Sequence, residues 1–151
     1  MFRKLLLKIL LERAIAFEER AYRFYEEALA RSAMSDTSEL FRQLLAEELL
    51  HRMKLEEMQR TGDLGLLEVS LPRGAQDVEE LSQEWPRLHP WAHKGEVLET
   101  ALRKEAMAYR FYKSLAKKAA LKAARDVFAA LSGEESAHVE RLKNEIEKVS
   151  R

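Results

Sequence analysis

Glu48 and His51 stand three positions apart in AEELLHRM (46–53), and Glu135 and His138 repeat that spacing in GEESAH (133–138). On a helix, positions i and i+3 share a face about one turn apart. Each Glu-x-x-His can therefore turn a carboxylate and an imidazole toward one point. Oxygen and imidazole donors suit iron, manganese or, less specifically, zinc. One such pair on a charged helix would be an ordinary solvated patch. Two further acids in matching contexts change the weighing: Glu18 in AFEERAYRFY and Glu105 in RKEAMAYRFY.

These contexts are copies of each other. LERAIAFEERAYRFY (11–25) aligns without gaps to LETALRKEAMAYRFY (98–112), with 9 of 15 residues identical. FRQLLAEELLHRMKL (41–55) aligns to FAALSGEESAHVERL (128–142), with 6 of 15 identical. Both alignments use one shift, since Glu18 to Glu105 and His51 to His138 are each 87 positions. A fixed period of this kind marks a duplicated supersecondary unit. The chain reads as two copies of a helical hairpin.

The four acids sit on apolar stripes. Leu11, Ala14, Ile15, Ala21, Tyr22 and Tyr25 share the face of Glu18, and Leu98, Ala101, Leu102, Ala108, Tyr109 and Tyr112 that of Glu105. Phe41, Leu44, Leu45 and Leu55 flank Glu48, while Phe128, Leu131, Val139 and Leu142 flank Glu135. Such stripes face a bundle interior. About fifteen residues lead from Glu18 to the turn and about twelve return to Glu48, so at ~1.5 Å per residue both lie at a similar height. Four carboxylates and two imidazoles then meet in one layer. Unpaired carboxylates in a low-dielectric interior cost several kcal/mol each. No Lys or Arg shares the stripe of Glu18 or Glu105, and Arg52, one turn after Glu48, is the nearest exception. Two divalent cations would balance the layer. One Glu from each of two helices, with Glu-x-x-His from the other two, is the ligand set of di-iron and di-manganese carboxylate bundles. Glu47 and Glu134, four positions before each His, also repeat and stand as alternative donors.

The elements that position this layer follow from the same pattern. Helices are expected over about 3–33, 38–60, 95–119 and 122–148, with SDTS (35–38) turning the chain and capping the second. The segment 62–95 holds four of the five Gly and all three Pro. It suits a crossover running the length of a bundle, and its VEELSQEW is expected to form a short helix. The expectation is an all-α, four-helix bundle in one domain, with hairpin 1 over 3–61, the crossover over 62–94 and hairpin 2 over 95–149. At 151 residues such a chain can bury roughly 68–70% of its unfolded surface. Cysteine is absent, which excludes disulfides, iron–sulfur clusters and thiol catalysis. Lys+Arg and Asp+Glu balance at 26 each, so nothing points to nucleic acid. Lys8 interrupts the apolar start MFRKLLLKILLERA and no small-residue cleavage site follows, so neither a removable signal nor a membrane span is expected. A cytoplasmic location is the default.

AFEERAYRFYEEA, AEELLHRM, RKEAMAYRFY and SGEESAH resemble the four ligand helices of the rubrerythrin branch of the ferritin-like superfamily, over about residues 8–148 without the crossover. The resemblance implies a ferritin-like bundle with a non-haem di-iron site that reacts with peroxide or dioxygen. It implies Glu18, Glu48, His51, Glu105, Glu135 and His138 as ligands, with Glu48 and Glu135 bridging two iron ions, and it makes Tyr25 and Tyr112 partners of site carboxylates. Rubrerythrins proper append a Cys-rich rubredoxin module and place an extra Glu one turn after the third-helix ligand. This chain has no Cys, and Ala108 fills that position, so the centre is closer to a symmetrical six-ligand site. Leu49 stands where bacterioferritin has its haem methionine, so no haem is expected. A separate electron donor such as a rubredoxin-like protein, and a homodimer with exchanged hairpins, follow as expectations. Iron storage with ferroxidase activity, di-iron hydroxylation and manganese catalase chemistry are the alternatives. His89 and His93 flank Trp91 in the crossover, where aromatics are expected to pack on the bundle. Tyr22, Phe24, Tyr109 and Phe111 are expected to serve the core or a subunit contact.

Overall fold

A computed structural model describes residues 2–31, 36–61, 88–119 and 122–151, with side chains from residue 8 onward. Four long helices account for most of these residues: α1 (Phe2–Leu29), α2 (Ser38–Thr61), α3 (Lys94–Lys118) and α4 (Lys122–Val149). Their lengths of 28, 24, 25 and 28 residues are similar enough for all four to span one layer. Contacts concentrate within α1–α2 and within α3–α4, and α2 also touches α4. The all-α bundle of two hairpins is thus the observed architecture.

The helix ends have local causes. α1 stops about a turn before the expected boundary, where Arg31 N–H bonds Ala28 O at 3.1 Å and closes a tighter turn. The Arg31 guanidinium then donates to Leu88 O at 3.1 Å and His89 O at 2.8 Å, tying the α1 end to the segment that enters α3. α2 carries Glu39 in its first turn, where a negative charge favours the exposed N–H groups. At its other end Thr61 Oγ1 donates to Glu57 O at 3.0 Å. His93 N–H bonds Glu96 Oε2 at 2.9 Å at the start of α3, and Lys117 and Lys118 occupy its last turn, the favourable end for cations. Ala119 is extended, and Arg125 of α4 donates to its carbonyl at 3.1 Å. The expected VEELSQEW helix lies outside the described residues, as does most of the crossover.

The core repeats the sequence repeat. Leu11 and Leu98, Ala14 and Ala101, Ala21 and Ala108, Phe24 and Phe111, Tyr25 and Tyr112, Phe41 and Phe128, Leu44 and Leu131, and Leu55 and Leu142 are all buried. Each large apolar side chain contributes roughly 1.5–3 kcal/mol on full burial. One pair breaks the pattern. Phe17 and Lys104 occupy equivalent positions, and both are buried. Trp91 departs from expectation in the other direction. It is 80% exposed and does not pack on the bundle.

Candidate metal centre

Each of the four helices delivers its predicted residue to the interior. Glu18 comes from α1, Glu48 and His51 from α2, Glu105 from α3, and Glu135 and His138 from α4, and all six are 0% exposed. The apolar stripes explain their direction: Leu44 and Leu55 on α2, and Leu131 and Leu142 on α4, are buried on the same faces. Burial of those faces carries the acids inward with them.

The six side chains form two overlapping groups of donors. Glu18, Glu48, His51 and Glu135 make one, and Glu48, Glu105, Glu135 and His138 make the other, with donor atoms in each group within 4.8 Å of one another. His51 Nδ1 lies 2.9 Å from Glu135 Oε1, 3.6 Å from Glu48 Oε2 and 3.8 Å from Glu18 Oε2. His138 Nδ1 lies 3.0 Å from Glu48 Oε1 and 3.3 Å from both Glu105 Oε2 and Glu135 Oε2. Glu48 and Glu135 therefore turn one oxygen to each histidine. The two imidazoles stack with centroids 5.3 Å apart and planes 14° from parallel.

Electrostatics make this layer costly without a cation. Burial, then the charge of Glu48, raises the Glu18 carboxyl well above its ordinary range. Burial, then Glu105, raises Glu135 as well. For Glu105, burial also acts upward, but the His138 hydrogen bond and charge outweigh it and hold the acid low. Burial alone would lower both imidazoles. It is overridden at His51 by Glu135, Glu18 and Glu48, and at His138 by Glu105, Glu135 and Glu48, so both are raised. Even so, Glu18 Oε2, both oxygens of Glu48 and of Glu135, and His51 Nδ1 are buried without a hydrogen-bond partner. Orphaned buried polar atoms of this kind need an explanation. These converge on one place, and the oxygen and imidazole donors fit divalent iron or manganese.

Around the six lies a set of crossed contacts. Tyr25 of hairpin 1 donates to Glu105 Oε1 of hairpin 2, and Tyr112 donates to Glu18 Oε1 in return. Burial, then the facing carboxylates, raises both phenols well above their usual range, so each stays a donor. Each hydroxyl thus meets a buried carboxylate of the opposite hairpin. Glu47 and Glu134, the alternative donors of the sequence, belong to neither donor group. Their side chains are 39% and 43% exposed and meet the outer Nε2 atoms of His138 and His51. Arg52 does not neutralise the layer either, since it pairs with Glu19 and Glu56 beside it. The sequence reading passed over Lys54 and Arg141, which grip Glu134 and Glu47. The signal was present, because both are bases three positions after a histidine in each copy. His89 and His93 are exposed and belong to neither donor group among the described residues.

The Rubrerythrin family model matches the chain over residues 10–85 and 96–151, segments that contain all six donors. No curated protein and no solved structure gives a significant match. A duplicated helical hairpin with two Glu-x-x-His motifs, a buried acid layer with orphaned oxygens, and a family match over most of the length lead to one assignment: the chain belongs to the rubrerythrin family of ferritin-like di-iron proteins.

Proposed function

We propose that the protein is a di-iron oxidoreductase that reduces hydrogen peroxide or dioxygen with electrons from a separate donor protein. The observation that supports this reading is the sharing of Glu48 and Glu135 between two buried donor groups. Glu18 and His51 would complete one metal position, Glu105 and His138 the other, and Glu48 and Glu135 would bridge them. Two iron ions held there would supply reversible redox chemistry toward an oxygen–oxygen bond.

The chain's own residues shape that chemistry. Tyr25 and Tyr112 fix one oxygen of Glu105 and Glu18, which leaves the other oxygen of each for coordination. All six donors are shielded from bulk water, which strengthens each electrostatic contact. Both imidazoles turn Nδ1 inward to the shared carboxylates. Ala108, where rubrerythrins carry an additional acid, is fully buried and offers no seventh donor. The centre so proposed has a fixed set of six ligands. No helix among the described residues is long and apolar enough to cross a membrane.

Metal analysis of the purified, anaerobically iron-loaded chain, followed by peroxide and oxygen titration, tests the proposal. Two irons per chain, lost in His51→Ala and His138→Ala, with oxidation of the loaded protein by either oxidant, are expected. A chain holding well under two metals and unaffected by those substitutions would sink it. Native metal identity separates iron from manganese chemistry, and sedimentation separates a dimer from a storage cage.

A further inference from the structure

Two half-exposed acids outside the donor groups repeat with the ligands. His51 Nε2 lies 2.6 Å from Glu134 Oε2, and His138 Nε2 lies 2.7 Å from Glu47 Oε2. In each case the acid comes from the opposite hairpin. Lys54, three residues after His51, reaches both oxygens of Glu134 at 2.8 and 3.1 Å. Arg141, three residues after His138, reaches both oxygens of Glu47. A base and a histidine one turn apart thus close on one carboxylate, and the device is built twice.

We propose that Glu47 and Glu134 are positioning residues, each accepting the Nε2–H of the opposite hairpin's histidine and thereby turning its Nδ1 toward the metal layer. A carboxylate beside a cationic base has no proton to give, so the imidazole must be the donor. When a metal displaces the proton from the inner nitrogen, the neutral ring has its lone pair on Nδ1, the atom that faces Glu135 at 2.9 Å in His51 and Glu48 at 3.0 Å in His138. Fixing the tautomer and ring orientation from outside is how outer carboxylates act on metal-binding histidines. An ion pair on a half-exposed surface contributes little to stability by itself, which leaves the histidine as what the contact serves. The inference rests on the dinuclear reading above, and on the observation that each metal position has its own acid.

Titration of Co(II) into the metal-free full chain, followed by visible absorption, tests it in the wild type, Glu47→Leu, Glu134→Leu and the two Glu→Gln variants. The wild type is expected to take two ions. Each Leu variant is expected to bind one of them about 10–100-fold more weakly, with a shifted Co(II) band. Glu47→Leu should act on the position of His138, and Glu134→Leu on that of His51. Each Gln variant should lose less, because its amide oxygen still accepts the Nε2–H. Thermal unfolding of the metal-free variants checks the fold; if a Leu variant does not fold, Glu47→Ala or Glu134→Ala, which also lacks the acceptor, takes its place, and an unchanged affinity and band there overturns the proposal. Wild-type binding with unchanged Leu variants overturns this inference alone, whereas a wild type that takes no Co(II) overturns the dinuclear reading with it.

Discussion

Loading the centre with metal should release protons, and their number follows from the layer. Before loading, four groups there have affinities for protons raised above their ordinary values: Glu18, Glu135, His51 and His138. The acids are raised first by burial, and the histidines by the carboxylates that face them. At about pH 6.5 the two raised histidines and Glu135, pushed up to about 8, hold protons that a coordinated group cannot keep, and Glu18 is shifted in the same direction. Glu105 is held low by His138 and has none to give. Filling both positions at that pH should therefore release on the order of three protons. Calorimetric titration with Co(II) in buffers of different ionisation enthalpy reads that number as the slope of the observed heat. A surface chelate made from acids that are already ionised would give a slope near zero. That result would refute the claim that these six buried residues are the donors.

The metal-free protein should be more stable at about pH 6 than at about pH 8. Glu18 and Glu135 have folded affinities raised above their unfolded ones, so their contribution is complete below the ordinary carboxylate range and is lost as pH climbs; the histidines act in the same direction from about pH 6.5 upward. Urea unfolding at the two pH values measures this, and greater stability at the higher pH would contradict the assigned shifts. Glu48→Gln should weaken both metal positions together because both donor groups use it, whereas Glu18→Gln should weaken one. Co(II) stoichiometry and affinity distinguish the two, and equal behaviour of these variants would remove the bridging role of Glu48.

The sequence made the layer legible because burial and periodicity are both local. An acid on an apolar stripe points inward wherever the stripe is buried, and Glu18, Glu48, Glu105 and Glu135 all do. A shift of 87 positions then doubled each observation. Partners across the bundle were harder to see. Periodicity places Tyr25 on an inward face but does not say that it reaches Glu105 rather than Glu18 of its own helix. For Glu47 and Glu134, exposure decided the outcome. They stand at the edge of the α2 and α4 stripes, close enough to meet an imidazole from outside and too far round the helix to join the interior. The end of α1 closes in a local turn, but its tie to a segment distant in sequence, Arg31 on Leu88 and His89, is announced by no local residue type. Lys104, buried at the position equivalent to Phe17, shows where the copies have diverged, and repeat logic alone would have predicted an apolar residue there.

The crossed hydroxyls have a consequence for how such a chain can arise and assemble. Tyr25 serves a glutamate that its own hairpin does not contain, and Tyr112 does the same in return. A lone hairpin would carry a tyrosine without its acid and an acid without its tyrosine, together with a single Glu-x-x-His. It would complete the layer only by meeting a second copy, so its metal affinity would depend on protein concentration. Joining two copies through one crossover replaces that encounter with a tethered one, at an effective concentration set by the connecting segment. Occupancy of the centre then depends on the metal supply and no longer on how much of the protein the cell makes.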